Sequence, residues 1–372
     1  MGKYFNRDLL NILPLSDRVN KLDVKRDTID PVSYKIDLSE EAADDVRRAA
    51  EEIRSAKENG AARILAFGAH SIKNGLGSVL IRLLQRGWIT HFATNGAGVI
   101  HDWEFAFQGK SGEDVHRYTS EGQFGIWNET GTCINLAIIA GAFFGLGYGE
   151  AVGSMIQREG ILLPSDEELR KIIDEAAKSS AAPDLLDRAA AAADLLRKKT
   201  AFDLKEDFIK ISHPFREFSL AYSAVDAHIP FTCHPMFGHD IIYTHPMNDG
   251  AAIGRCAQRD FLSYANSVSQ LEKGVYLSVG SAVMSPMIFE KSLSMSRNIA
   301  RQEGKEIERF TIHVVDLAKS SWDWTRNGEP PMDNPAYYLR FCKTFSRMGG
   351  KMSYCSADNR SWLTALLQEL EK

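Results

Sequence analysis

Five stretches of the chain carry residue types that could do chemistry. Thr94-Asn95-Gly96-Ala97-Gly98 follows an apolar run and opens a helical pattern. Glycines there let backbone N–H groups approach an anion, and a helix N-terminus favours negative charge. Val279-Gly280-Ser281-Ala282-Val283 repeats the arrangement. Two such turns at the carboxyl ends of strands are where an open α/β sheet binds a nucleotide. Neither is a GxGxxG, so the pair rather than either turn carries the nucleotide reading. The third stretch holds His234, His239, Asp240 and His245. Imidazoles with a carboxylate can bind zinc or another divalent ion, although this spacing fits no zinc motif. The alternative is a polar pocket wall. The fourth is Lys343, which shares a helical flank with Ala336 and Leu339. A lysine on an apolar flank can lose solvation and become a neutral nucleophile, or it can simply snorkel. Tyr337, Tyr338, Phe341 and Phe345 beside it read first as core. Trp322-Asp323-Trp324 could hold a cation between ring faces and a carboxylate, or cap the core.

The elements that must position these residues follow from pattern. Residues 40–59 are rich in Ala, Glu and Arg and read as a helix behind Ser39, stopped by Gly60. ARILAF is a buried strand, GAHSIKNG a loop, LGSVLIRLLQRG a helix and WITHFATN a second strand. That succession is a βαβ unit and calls for parallel strands. Residues 131–160 are helical and glycine-dotted. Ser165 to Glu168 forms a capping box, and 183–198 is an Ala-rich helix. Strands follow at 229–233, 275–279 and 310–316, with helices over 257–272 and from 283 to about 301. Asn334-Pro335 starts a helix with proline at its first position, and a short strand and a helix close the chain. The expected fold is α/β: a Rossmann-like open parallel sheet with helices on both faces. Residues 1–38 form an N-terminal arm, 39–372 a single domain, and about 160–200 a helical insertion.

Composition sets the outer bounds. Of 372 residues, 44% are apolar and 25% charged, enough to build a sizeable core. No apolar run reaches the ~18 residues of a membrane helix, and MGKYFNRDLL has no signal-type core. A net charge of −5 argues against nucleic-acid coating. Five cysteines without a CxxC read as a reduced, cytoplasmic chain without a thiolate zinc site.

These pieces, in this order, resemble the deoxyhypusine synthase family over roughly residues 60–370. The family's Thr-Thr-Ala-Gly-Gly-Val-Glu-Glu-Asp stretch is similar to Thr94 through Asp102 here. Its Thr-Ser-Asn loop falls on Gly68-Ala69-His70, its Gly-Gly-Gly-Val turn on Gly280-Ser281-Ala282-Val283, and its Trp-Gly-Lys motif on Phe341-Cys342-Lys343. Its terminal Ala-Asp pair falls on Ala357-Asp358. The resemblance implies a cytoplasmic, homotetrameric, NAD-dependent transferase. Its NAD takes a hydride from the carbon beside an amine of spermidine. Lys343, neutral in order to attack, captures the imine; the aminobutyl group passes to a small amine or a protein lysine, and the hydride returns. It assigns the cofactor to His70, Thr94, Asn95, Gly96, Ala97, Gly98, Gly280, Ser281, Ala282 and Asp358. It assigns the polyamine to Asp102, Asp240 and Phe341.

The chain also departs from the family. The adjacent glutamates that grip the polyamine are Ile100 and His101, and the active-site histidine falls on Pro286 or Met287. His101 is the group left for proton transfer. Asp240 matches a polyamine-binding aspartate through the DIIYTH that it opens. A rival register puts Asp249-Gly250 on a nucleotide-binding Asp-Gly, which keeps Asp249 as a cofactor candidate. NAD binding is thus the safer expectation than spermidine. Two further readings stand beside the transferase: a metal-dependent hydrolase built on residues 234–245, and a non-catalytic NAD-binding relative.

Overall fold

The computed structural model describes residues 3–178 and 182–372. Six apolar runs become strands: Arg63–Phe67 (β1), His91–Thr94 (β2), Phe231–Cys233 (β3), Val275–Val279 (β4), Thr311–Asp316 (β5) and Lys351–Ser356 (β6). They form one parallel sheet in the order β3-β2-β1-β4-β5-β6. The chain winds outward from β1, returns to the middle, and winds outward the other way from β4. The strand order therefore reverses between β1 and β4, the place where doubly wound sheets open a crevice. Pairing of Phe67 with Val279 brings the turns after those two strands level.

Period-two alternation sorts the strand residues between two cores. Leu65, Phe67, Leu277 and Val279 face one side, and Ile64, Ala66, Tyr276, Ile312 and Val314 face the other. Helices cover both sides, which is why the central strands read as unbroken apolar runs. They are α1 (Glu40–Glu58), α2 (Ala69–Lys73), α3 (Gly77–Gln85), α4 (Gly96–Gln108), α5 (Asn128–Phe144), α6 (Tyr148–Arg158), α7 (Asp166–Lys178), α8 (Pro183–Ala201), α9 (Leu220–Asp226), α10 (Gly250–Ser269), α11 (Met284–Gln302), α12 (Arg340–Ser346) and α13 (Asn359–Leu370). Helix α5 is apolar on nearly all sides from Ile134 to Phe143 and is buried on nearly all sides. No single described helix is long and apolar enough to cross a membrane.

Local chemistry sets most boundaries. Ser39 Oγ accepts from Ala42 N at 3.2 Å and opens α1, and Ser165 Oγ accepts from Glu168 N at 3.1 Å at α7. Other boundaries differ from the sequence reading. The glycine-dotted 131–160 stretch is two helices, broken at Gly145, whose φ of +81° suits glycine. Helix α10 begins at Gly250 rather than 257, because Asp249 caps it. Asn334-Pro335 opens only a 3₁₀ turn, Pro335–Tyr338; Leu339, with ψ at 76°, separates it from α12. Lys343 therefore lies on a different helix from Ala336. The insertion is α7 and α8 together with two short antiparallel strands, Gly160–Leu162 and Phe208–Lys210. Residues 3–38 hold only short elements, yet Leu15, Arg18, Val24 and Ile29 are buried against the body.

One polar knot ties the β5–β6 side of the sheet to α1. His313 of β5 meets Glu52 at 2.6 Å and Asp45 at 3.3 Å; Asp45 also accepts from Ser353 and from Trp362 of α13. Burial works against ionisation of all three titratable groups. Mutual pairing overrides it, holding His313 up at about 9 and Asp45 down at about 2.

Candidate functional site

The turns after β1 and β4 touch at the switch point. Gly68 N donates to Val279 O at 3.1 Å, and a Cβ on Gly68 would overlap the carbonyl oxygen of Gly280. Gly280 has φ +58°, and its N–H donates to Val315 O at 2.9 Å. Ser281 Oγ accepts from Ser285 N at 3.2 Å and tightens the first turn of α11. Ala282 and Val283 are exposed there. Two residues that the sequence reading did not single out complete this half. Asn359 sits beside Gly280 and donates to Ser71 Oγ of α2 at 3.3 Å. Asp316 ends β5, half-buried, with one carboxylate oxygen accepting from Ala318 N at 3.0 Å. An acidic residue at the end of the strand that follows a glycine turn is a ribose-binding feature of doubly wound sheets. Only the strand order shows that Asp316 holds this place. Asp358 begins α13, where the Arg360 side chain and backbone N–H groups outweigh its burial and keep its carboxyl below the usual range.

The turn after β2 is occupied by the protein itself. Thr94 Oγ1 donates to Phe67 O at 3.0 Å and packs against Gly98, where a Cβ would not fit. Asn95 Oδ1 accepts from Gly98 N at 3.0 Å. Oδ2 of Asp240 lies against Gly96, at the N-terminus of α4. Burial raises the Asp240 carboxyl to about 6, offset in part by Ile242 N. A cofactor phosphate at Gly96 would meet this carboxylate. Of the two expected phosphate turns, the one at Gly280 is the better place for an anion, because at Thr94–Gly98, with Ala97 half-exposed beside it, the Asp240 carboxylate already takes the N-terminus of α4.

Several expected site residues are committed elsewhere. Asp102 is buried and accepts from Ser219 Oγ at 2.5 Å, Leu220 N at 2.7 Å and Ala221 N at 3.1 Å, so it caps α9 instead of meeting a polyamine. Asp102→Ala is expected to cost about 1–3 kcal/mol by orphaning these donors, read as a lower urea midpoint with cofactor binding unchanged. Asp249 caps α10 through Ala252 N at 3.0 Å and pairs with Arg197, which leaves it no role toward a cofactor. Phe341 packs on Tyr354, ring centroids 6.1 Å apart, as part of the core under the β6 edge. Lys343 holds its ammonium 3.7 Å from the centroid of the Tyr337 ring, at that same edge. Among the described residues it makes no recorded contact with the Gly68 or Gly280 turns. Trp322 donates to Gly328 O at 2.9 Å and Asp323 caps the short helix Trp324–Asn327, so this trio fastens a loop.

The histidines of 234–245 do not converge. His234 is buried with Nε2 2.9 Å from Thr232 Oγ1; His245 Nδ1 accepts from Met247 N at 3.1 Å; His239 is exposed. Among the described residues no three His, Cys, Asp or Glu side chains come together as metal ligands. The hydrolase alternative loses its metal cluster, because each ring is held by a different neighbour. His70 is exposed at the start of α2. His101 lies one helical turn below Ala97.

No family model and no curated protein matches the chain. The resemblance to deoxyhypusine synthases thus rests on the motifs alone. Solved structures give distant likenesses. AgrE in ternary complex with ornithine and NAD+ has a TM-score of 0.43 and 15% identity, over 91% of this chain and 34% of that one. ArgZ, an arginine dihydrolase from the ornithine–ammonia cycle in cyanobacteria, has 0.41 and 13%, over 88% and 32%. A LOR/SDH protein from Methanococcus maripaludis S2 has 0.43 and 13%, over 92% and 73%. The chain spans about a third of the length of AgrE and ArgZ. None of these scores reaches 0.5.

Proposed function

We propose that the crevice between β1 and β4 binds NAD and that the protein is an NAD-dependent enzyme acting on a small amine. The observation that carries this reading is the contact of Gly68 with Gly280 at the reversal of strand order. The two halves are unequal, which supports one orientation. The Gly280 turn, the N-terminus of α11 and Asp316 suit the pyrophosphate and the adenosine ribose. The nicotinamide end then points toward β2, where Asp240 lies against Gly96 and can hold an ammonium. Bound NAD supplies a hydride acceptor at this place. Asp240 would orient the ammonium, which would first lose one proton to solvent; loss of hydride from the carbon beside the nitrogen to the bound acceptor would then leave an iminium ion.

The finer version, aminobutyl transfer through Lys343, needs that lysine at the crevice. Its place on Tyr337 and the loss of the glutamate pair favour the simpler oxidation. The separating experiment is borohydride trapping with NAD and spermidine, followed by peptide mass spectrometry. No adduct is expected on Lys343, and an adduct there would restore the transferase reading.

Calorimetric titration with NAD tests the cofactor. Asp316→Ala is expected to weaken NAD by roughly 10- to 100-fold, the worth of hydrogen bonds to a charged group. Wild type is expected to prefer NAD to NADP, because Asp316 repels a 2′-phosphate. Equal affinity of wild type and Asp316→Ala for NAD would sink the orientation, and no binding at all would sink the proposal.

A further inference from the structure

A chain of buried polar contacts joins the N-terminal arm to α4 and has no part in the proposed reaction. Arg18 of the N-terminal arm grips Glu104 of α4 through two hydrogen bonds, 2.8 and 2.7 Å, with both side chains sealed from solvent. Burial alone would raise the Glu104 carboxyl, but Arg18 overrides it and keeps it ionised. Its two oxygens also receive Thr130 Oγ1 at 2.9 Å and Ser111 Oγ at 2.6 Å. Ser111 Oγ in turn lies 2.7 Å from His101 Nδ1.

Donor counting decides the direction of each bond. An ionised carboxylate only accepts, so the single hydrogen of Ser111 points to Glu104. Ser111 Oγ can then only accept from His101, so Nδ1 carries the ring proton. The charge of Glu104 favours a protonated ring, while Lys73 of α2 and Arg18 oppose it. Burial outweighs the pull of Glu104 and, with those cations, holds the ring neutral, at about 4. Nε2 is left with a bare lone pair. It has no partner among the described residues and is not among the polar atoms sealed without one. His101 lies on α4, which packs on α2, the helix that follows the turn after β1.

We propose that Glu104 and Ser111 are positioning residues that lock His101 in the Nδ1–H tautomer, so that Nε2 presents a fixed hydrogen-bond acceptor to a substrate N–H or O–H at the nicotinamide end of the crevice. This rests on the NAD reading for the identity of the crevice, and on hydrogen bonds alone for the tautomer. It revises the expected role of His101: a ring this reluctant to take a proton binds a donor and is a poor general base near neutrality.

The test is long-range proton–nitrogen NMR on the full chain labelled in its histidine nitrogens, with the His101 signals identified by their loss in His101→Gln. Nδ1 is expected in the protonated range and Nε2 in the bare range throughout neutral pH. Ser111→Ala should move both resonances toward averaged positions, and Ser111→Thr, which keeps the hydroxyl, should restore them. An Nε2–H tautomer in wild type, or a tautomer indifferent to Ser111→Ala in a protein that still melts cooperatively, overturns the proposal. NAD titration of the same samples separates the two readings. A locked tautomer without NAD binding would sink the crevice assignment and with it the proposed role of Nε2 toward substrate.

Discussion

Gly68→Ala is expected to weaken NAD binding by roughly 10- to 100-fold, the equivalent of the about 1–3 kcal/mol that overpacking costs, while the protein stays folded. The backbone of Gly68 is ordinary, with φ −83° and ψ 162°, so any residue could adopt it. What alanine lacks is room: its Cβ would overlap the carbonyl oxygen of Gly280, and that obstacle is backbone rather than a movable side chain. The two turns must part, and the crevice changes shape at the proposed cofactor site. Gly280 offers the contrast. Its φ of +58° makes alanine a strained choice, but the space around it is open, with Asn359 Nδ2 3.6 Å from a built Cβ. Gly280→Ala should cost about 1 kcal/mol of stability through the left-handed backbone and less affinity than Gly68→Ala. Calorimetric titration with NAD and a thermal melt on each variant measure both quantities. Undiminished affinity in Gly68→Ala would refute the placement of the cofactor.

His313→Gln is expected to destabilise the fold by about 3–5 kcal/mol, the range for breaking a buried, paired charge. The imidazolium joins α1, β5, β6 and α13 through Asp45, Glu52, Ser353 and Trp362, so its removal strands carboxylates that burial would otherwise neutralise. The pH dependence carries a definite sign. His313 is raised to about 9 in the folded state. Its contribution is therefore complete below the unfolded value of about 6.5 and is lost as pH rises through the folded one. Asp45 is lowered to about 2. Its contribution is complete above about 3.9 and is lost as pH falls through the folded value. The stability gap between wild type and His313→Gln should be widest between about pH 4 and 6.5 and should narrow at alkaline pH. Urea unfolding at acidic, neutral and alkaline pH reads this directly, and a gap independent of pH would contradict a charged His313.

How much of this was legible beforehand differs by element. The strands Arg63–Phe67, Val275–Val279 and Thr311–Asp316 are apolar runs between turn signals, and they sit within a residue of where the pattern puts them. Local spacing carries such information because a strand buried on both faces must be apolar throughout. The two glycine turns were visible for the same reason. Their difference was not: nothing near Thr94–Gly98 in sequence announces that Asp240, more than a hundred residues away, fills the N-terminus of α4. The 234–245 stretch shows the opposite failure. Its histidines are close in sequence, but the backbone turns each toward a separate partner.

By itself the sequence determined the class of fold, the parallel sheet, the helix caps at Ser39 and Ser165, and the presence of two glycine-containing turns between strand and helix. These depend on side-chain period and on contacts within a few residues. Tertiary structure decided the strand order, and with it which turns meet, that Gly68 must be glycine for space rather than for conformation, and that Asp316 and Asn359 join the crevice. It also decided what each acid meets: Asp102 and Asp249 cap helices, Glu104 is matched by Arg18, and Asp240 caps the short turn Ile241–Thr244 with one oxygen while the other lies against Gly96. The physical reason is that a carboxylate's role depends on which donors surround it once it is buried, and those donors come from remote parts of the chain.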